Sequence, residues 1–434
     1  MAIFTKMRFA FYTLGCKTNQ YETQAMEHIL QNQGHEIGHF DEKCDAYIIN
    51  TCSVTAIADK KNRAVIRRCR RENPRAVIGV CGCYTQHAPE AVKELGVDVL
   101  GGSGGRQEFL EHMLAALQGE DHVDTLDNAL RRREFELLPP GGLEERTRAM
   151  LKVQDGCVNF CTYCIIPYTR GRVRSLPVEQ AAKQARELDE KGYRELVVTG
   201  IEVASYGVDL KGKPDLADVI VAIAEAAPHM RLRMGSIEPS IITEDFCRRI
   251  AETGSVCRHF HLSLQSGCDA TLKAMNRKYD TARFFEATEL LRKYFPGCGL
   301  TADLIVGFPG ETEEHQRETL EFLEKVAFSD VHVFPYSRRP GTPADKMPNQ
   351  IDRAEKARRS KQARAVAEKT RRAYLESAVG TVLPVLFETK EGGLWQGHSD
   401  TYLLVRVEGE ELRGQIRNVE ITGVSGDTLV GKTV

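Results

Sequence analysis

No apolar run in these 434 residues approaches the ~20 positions that a membrane-spanning helix needs, so no membrane partner is expected. The opening MAIFTKMRFAFYTLGC is too short and too soon interrupted by charge to act as a secretory leader, and a cytoplasmic location is expected. Net charge is missing as well. With 59 basic and 61 acidic side chains the balance is −2, so total charge says nothing about a polyanionic partner and clusters must be sought locally. An even cysteine count is also absent: there are 13, in a chain far too long to need disulfide stapling. Reduced thiols, some of them metal-binding, are the better reading. What is present is ordinary for a globular protein, 42% hydrophobic and 28% charged, at a length that suits about two to four domains.

The segment GCVNFCTYC carries the most information. Cys157, Cys161 and Cys164 stand in the spacing C-x3-C-x2-C, three thiols within eight residues. A closed structural zinc site takes four ligands, and iron–sulfur clusters usually take four thiolates. A loop with three implies a [4Fe–4S] cluster with one iron left open to a small molecule, the signature of radical S-adenosylmethionine enzymes. The competing reading is a zinc loop completed by a distant His or Cys, and context has to decide.

Three blocks and a connector follow from the pattern. In residues 7–117 the apolar runs RFAFYTL, AYIIN and AVIGV alternate with charged helical segments such as ETQAMEHILQNQ and ADKKNRAVIRRCRREN. That alternation predicts a parallel sheet with helices on both faces. Cys16 and Cys52 fall at two strand ends, and Cys81 and Cys83 at a third. Ligands gather at the carboxyl ends of such strands, so a second three-thiol site is expected there. Alternation puts Cys81 and Cys83 on one face, and spacing cannot choose between them. Cys44, Cys69, Cys247, Cys257, Cys268 and Cys298 sit in no ligand-like spacing and read as packing or surface thiols. Residues 118–148, rich in charge, Pro and Gly, read as a surface linker.

Residues 149–370 contain MLKVQDG, RELVVTG, LRMGSIEP, HFHLSLQSG, LTADLIVGFPG and DVHVFPYS as strands separated by helical segments, which predicts an open or closed α/β barrel. Glu202, Ser236, Glu238, Gln265 and Asp303 recur at the strand ends and point to a shared pocket. Residues 371–434 hold short strands with Gly and Asp turns and predict a small β-barrel. Two runs are basic: Lys60 to Arg71, and the helix-like DRAEKARRSKQARAVAEKTRRAY. Together with the barrel they suggest a phosphate-tracking surface, for RNA rather than DNA, since no groove-reading helix is visible.

Along nearly the whole chain TLGCKTNQYETQAM, NTCSVT, GCYTQ, VQDGCVNFCTYCIIPYTRGRVRS, TGIEVASYG, SIEP, HLSLQSGCDATLKAMNRKY, DLIVGFPGET and VFPYSRRPGTPA resemble the radical SAM methylthiotransferases. The resemblance implies an N-terminal methylthiotransferase domain, a radical SAM core of partial TIM-barrel type and a C-terminal TRAM-type β-barrel. It implies that Cys157, Cys161 and Cys164 hold the cluster that binds S-adenosylmethionine. It selects Cys83, so that Cys16, Cys52 and Cys83 hold an auxiliary [4Fe–4S] cluster carrying the sulfur. Glu202, Ser236, Glu238 and Gln265 become candidates for contacts to S-adenosylmethionine.

Within the family GCKTNQYE, GCYTQ and HVFPYSRRPGTPA are most similar to the branch that methylthiolates carbon 2 of N6-threonylcarbamoyladenosine at position 37 of tRNA. Alternatives are isopentenyladenosine tRNA, a ribosomal protein, or a non-catalytic cluster-containing RNA-binding protein. The resemblance also implies an electron donor of flavodoxin or ferredoxin type and a monomeric chain. Two clusters are needed because carbon 2 carries an unactivated C–H bond with no acid–base route, and such chemistry is delegated to cofactors.

Overall fold

The computed structural model describes residues 6–120, 123–140 and 147–434. The first six strands are β1 (Arg8–Thr13), β2 (Glu36–Gly38), β3 (Ala46–Thr51), β4 (Val77–Gly82), β5 (Val99–Leu100) and β6 (Val123–Asp124). They form one parallel sheet in the order β2-β1-β3-β4-β5-β6. Every residue of β3 is buried, as an apolar run covered by helices on both faces demands. Phe9, Met26, Ile48, Phe109 and Met113 fill one side, and Tyr47, Ile49, Ile66 and Val80 the other.

Two expectations need correction here. The linker is not a loose surface connector, because β6 within it adds a strand to the sheet. Leu138 in it is buried, and its carbonyl accepts from Tyr21 Oη (3.2 Å) and Gln184 Nε2 (3.0 Å). Asp121, His122 and residues 141–146 of that segment lie outside the described residues. The second correction concerns Cys81 and Cys83. β4 ends at Gly82 and Cys83 opens the short helix Cys83–His87, so strand alternation does not carry through to Cys83. The backbone turns at Gly82 with φ +109°, where a Cβ would stand 2.4 Å from the Thr51 carbonyl oxygen.

The expected strand MLKVQDG divides into β7 (Arg148–Lys152) and β8 (Gln154–Asp155). β8 pairs antiparallel with β9 (Arg174–Ser175), and this ribbon clamps the base of the Cys157 loop. The remaining core strands are β10 (Glu195–Thr199), β11 (Arg231–Met234), β12 (Ser236–Ile237), β13 (His259–Gln265), β14 (Gly299–Val306) and β15 (Asp330–Pro335). They pair in parallel as β11-β10-β7 and β12-β13-β14-β15, and the chain passes from one set to the other at Gly235. β7 and β15 do not pair with each other, so the α/β barrel is open. Its interior apolar residues, among them Leu151, Leu196, Leu232, Phe260, Leu300 and Phe328, form one core with the covering helices.

The C-terminal strands β16 (Val382–Glu391), β17 (Leu394–Ser399), β18 (Leu404–Val407), β19 (Ile416–Ser425) and β20 (Thr428–Thr433) close into a barrel in the order β16-β17-β18-β20-β19. Val385, Phe387, Trp395, Val405 and Leu429 fill it. The helix Arg353–Ser377 runs across the expected boundary at 370/371, which therefore falls inside a continuous element. Among the described residues no helix is long and apolar enough to cross a membrane.

Candidate active site

The Cys157 loop is fixed from outside. Cys157 donates its amide to the Gly171 carbonyl (3.0 Å), Thr162 to Met275 (3.1 Å) and Cys164 to Cys161 (2.9 Å). Asn276 holds the carbonyls of Asn159 and Phe160 with its side-chain amide (3.2 and 3.1 Å), where Phe160 turns with φ +46°. Arg277 Nη1 donates to Cys161 Sγ (3.2 Å) and the Asn159 amide to Cys157 Sγ (3.5 Å). Burial pushes the Cys157 and Cys164 thiols up to about 12, so in the bare protein both are protonated and need a metal to become thiolates.

Cys16, Cys52 and Cys83 meet at the carboxyl edge of the first sheet. Cys16 is the residue before the helix Lys17–Asn32, Cys52 directly follows β3 and Cys83 opens its own helix. Cys16 and Cys83 both raise the Cys52 pKa, and Cys16 raises that of Cys83, which marks their proximity. Gly15 is required by this approach: at φ +117° a Cβ there would lie 2.8 Å from Cys52 Cβ and 3.1 Å from its Sγ. Cys81 is placed differently from Cys83. It is fully buried against Phe109 and Met113 in the sheet core, whereas Cys83 Sγ accepts from Arg170 Nε at 3.3 Å.

Arg170 ties the two thiol sets together. It follows the Cys157 loop, yet it also donates to Glu22 (2.5 Å) and Asn19 (2.7 Å) of the first helix and to Asp155 (3.3 Å). Glu22 further pairs with Arg106 (2.7 Å) and Lys152 (3.1 Å), and Asp155 with Lys152 (3.1 Å) and Arg174 (3.5 Å). All six side chains are buried. Burial alone would raise the two carboxyls, but the surrounding cations hold both well below the usual carboxylate range. Four buried cations face these two carboxylates, with Glu136 on the Arg106 amide as a third acid at the edge. The surplus positive charge beside Cys83 suits an anionic, thiolate-ligated group.

The donor geometry bears on the zinc alternative. Among the described residues, the ligand atoms that all lie within 4.8 Å of one another are those of His261, Asp303 and His332. The His–Asp–His group is explained without an ion, since Asp303 accepts from His261 Nε2 and His332 Nδ1, both at 3.3 Å.

Two adjoining cavities follow, one on the Cys157 set and one that reaches Cys16 of the second set. One of about 330 Å³ is lined by Cys157, Cys161, Cys164, Glu202, Gln265 and Arg277. The other, about 750 Å³, is lined by Cys16, Lys17, Ser236, His261, His332 and Tyr402. Asp303 and Phe334 belong to both walls. Burial and the neighbouring Glu238 push the Glu202 carboxyl up to about 7, and Asn159 Nδ2 donates to both acids (3.4 and 3.3 Å).

Of the four expected S-adenosylmethionine contacts, Glu202 and Gln265 face the Cys157 loop. Glu238 is buried behind it, 3.6 Å from Arg277. Ser236 lines the other cavity, with Cys16. Sequence reasoning missed Arg170, Arg277 and Phe334. A lone Arg or Phe carries no spacing signal, although all three lie within segments that carry the resemblance.

The basic surface is smaller than expected. On the helix Arg353–Ser377, Arg358, Arg359, Lys369, Arg371 and Arg372 are paired with Glu313, Glu311, Glu324, Asp427 and Glu376. On the helix Ala56–Glu72, Lys60, Lys61 and Arg67 are exposed and, among the described residues, have no carboxylate within 4 Å.

Residues 151–323 match the Radical SAM superfamily, and residues 8–102 match the Uncharacterized protein family UPF0004. The chain is 39% identical over 420 residues to the threonylcarbamoyladenosine tRNA methylthiotransferase MtaB of Bacillus subtilis, covering 95% of this chain and 93% of that protein. The chain belongs to the radical SAM methylthiotransferases. It is an enzyme of that type, using S-adenosylmethionine and [4Fe–4S] chemistry. The MtaB protein of Thermotoga maritima is similar at 34% identity, with 96% of this chain and 95% of that one covered. A tRNA-2-methylthio-N(6)-dimethylallyladenosine synthase of Alkaliphilus oremlandii is similar at 32%, with 98% and 89% covered. The fold of the methylthiotransferase is also similar to the radical S-adenosylmethionine methyltransferase TsrM of Kitasatospora setae, solved with cobalamin and a [4Fe–4S] cluster. That likeness has TM-score 0.57 at 17% identity and covers 78% of this chain and 77% of that one.

Proposed function

We propose that this methylthiotransferase inserts a methylthio group at carbon 2 of N6-threonylcarbamoyladenosine at position 37 of tRNA. The observation that carries the reading is the shared wall: the cavity lined by Cys157, Cys161 and Cys164 adjoins one lined by Cys16, and Asp303 and Phe334 belong to both. In this reading Cys157, Cys161 and Cys164 hold one [4Fe–4S] cluster, and Cys16, Cys52 and Cys83 the other. When bound, the clusters and S-adenosylmethionine supply the electron, the radical and the sulfur that an unactivated C–H bond requires. The protein's part is positioning. Arg277 and Arg170 donate to the Cys161 and Cys83 sulfurs and so orient them. Glu202 and Gln265 line the S-adenosylmethionine cavity, with Glu238 supporting it through Asn159. Phe334, 46% exposed, offers a face on which an unstacked adenine can lie.

The proposed organisation is a methylthiotransferase domain at 7–117, a connecting segment at 118–148, a radical SAM core at 149–370 and a TRAM-like RNA-binding barrel at 371–434. The chain acts in the cytoplasm as a monomer and draws electrons from a flavodoxin- or ferredoxin-type donor. The test is to give the reduced, reconstituted enzyme a threonylcarbamoylated and an isopentenylated tRNA pool and to analyse nucleosides by mass spectrometry. Product on the threonylcarbamoylated pool is expected. Product on the isopentenylated pool alone would move the substrate to the other branch.

A further inference from the structure

The larger cavity holds a cation that nothing in the fold neutralises. Lys17, an exposed residue that directly follows Cys16, lines both this cavity and an adjoining one of about 380 Å³. Among the described residues, its ammonium has no hydrogen-bond acceptor and no carboxylate within 4 Å. The charged groups acting on it are mainly cationic, Arg233 and Arg148. The one attractive neighbour, Glu195, is already held by Arg231 and Arg233 at 2.7 Å each. The acids of the cavity are committed elsewhere. Asp303 lies between two imidazoles, Asp427 pairs with Arg371 (3.5 Å), and Asp330 accepts from the Val331 amide (2.8 Å).

A second observation is independent of Lys17. His259, 4% exposed, lines the same cavity, and its Nδ1 has no partner, while its Nε2 is spent on Thr301 (3.1 Å). An enclosed polar group left unpaired costs stability unless a ligand completes it.

We infer that Lys17, backed by His259, forms the anion subsite that receives the carboxylate of the substrate's threonylcarbamoyl group. This rests on the proposed function and names the residues that would enforce its specificity. A threonylcarbamoyl tail ends in a free carboxylate, which a lysine ammonium meets with a charge-assisted hydrogen bond. A prenyl tail would leave the ammonium and Nδ1 unpaired and is rejected on that ground. The competing role for Lys17 is to offset the negative charge of a thiolate-ligated group at Cys16.

The experiment is a chemical cycle on the reconstituted holoenzyme. Anaerobic affinities are measured for anticodon stem-loops carrying threonylcarbamoyladenosine or its carboxylate methyl ester. The intact enzyme should prefer the acid by about tenfold or more. Lys17→Met should bind acid and ester equally, at the intact enzyme's level for the ester, with iron content unchanged. Lys17→Arg should keep most of the preference, and His259→Phe should lower it. An undiminished acid preference in Lys17→Met would overturn the inference. So would loss of iron with equal weakening of both ligands, which would assign Lys17 to the thiolate group. If the intact enzyme methylthiolates the threonylcarbamoylated stem-loop but does not distinguish acid from ester, the subsite falls and the function stands. If it does not act on that stem-loop at all, the function itself falls.

Discussion

Cys81 and Cys83 are two residues apart and have opposite surroundings. Cys83→Ala should lower iron by about half in the reconstituted protein and abolish methylthiolation, while cleavage of S-adenosylmethionine at the Cys157 loop stays measurable. Cys81→Ala should keep full iron and lose only modest stability, because it removes one small buried group from the Phe109–Met113 core. Iron analysis and thermal unfolding of the two variants separate them, and the reverse pattern would exchange their roles. A second test concerns the shared wall. Phe334→Ala should cut product formation at least about fivefold through weaker base stacking, worth ~1–3 kcal/mol, and leave iron content intact. Product yield with stem-loop substrate is the measurement, and an unchanged yield would remove Phe334 from the base site. The thiols were legible in the sequence because ligand sets repeat a spacing or a strand-end position. Phe334, Arg170 and Arg277 were not, since what makes them matter is contact between segments more than 100 residues apart, such as Arg170 with Glu22 or Arg277 with Cys161.

At the level of elements, composition overstates what a basic helix offers to RNA. The helix Arg353–Ser377 is the more basic by sequence, yet much of its charge is answered by acids on neighbouring segments and on itself. Sequence cannot reveal that, because Glu311, Glu313 and Glu324 lie some 45 residues away and meet the helix only in the fold. The helix Ala56–Glu72 keeps Lys60, Lys61 and Arg67 for solvent. Its first turn also adjoins the site: Val54 and Thr55 line the Cys157 cavity, and the Ala56 amide donates to Ser337 Oγ (3.2 Å). Replacing Lys60, Lys61 and Arg67 by Gln should weaken tRNA binding and flatten its salt dependence, by about one unit of slope for each phosphate no longer neutralised. Replacing Arg358, Lys369 and Arg372 by Gln should change the slope less. Affinity measured across a salt series decides this, and equal slopes for the two triple variants would restore the long helix as an RNA surface.

Across the whole molecule, the C-terminal barrel is seated on the core by a buried carboxylate and its arginines. Glu195 on β10, fully enclosed, binds Arg231 and Arg233 on β11. These pass their remaining donors to barrel carbonyls: Arg231 to Pro384 (3.0 Å) and His398 (2.8 Å), Arg233 to Ser399 (2.9 Å) and Asp400 (3.1 Å). Arg148 with Glu388 and Arg258 with Asp400 flank the seam, and Tyr402 stacks between His259 and His398 beneath the Arg233 guanidinium. The block pattern was visible in the sequence, but this seam was not, for it joins β11 to barrel carbonyls 153 to 167 positions on. Burial alone would raise the Glu195 carboxyl, but Arg233, Arg231 and Arg148 reverse that and hold it at about 2. Its ordinary value lies near 4.5, so the folded state gains stability that is complete above that value and is lost as pH falls towards 2. The gain is on the order of 3 kcal/mol for a shift of this size. Glu195→Gln should destabilise the chain by about 3–5 kcal/mol at neutral pH, because two guanidiniums stay buried without their anion. The decisive comparison is thermal unfolding of iron-free wild-type and Glu195→Gln chains between pH 5 and pH 2. Their midpoints should converge as acid protonates Glu195 in the wild type, and a constant gap over that interval would show that the seam does not depend on its charge.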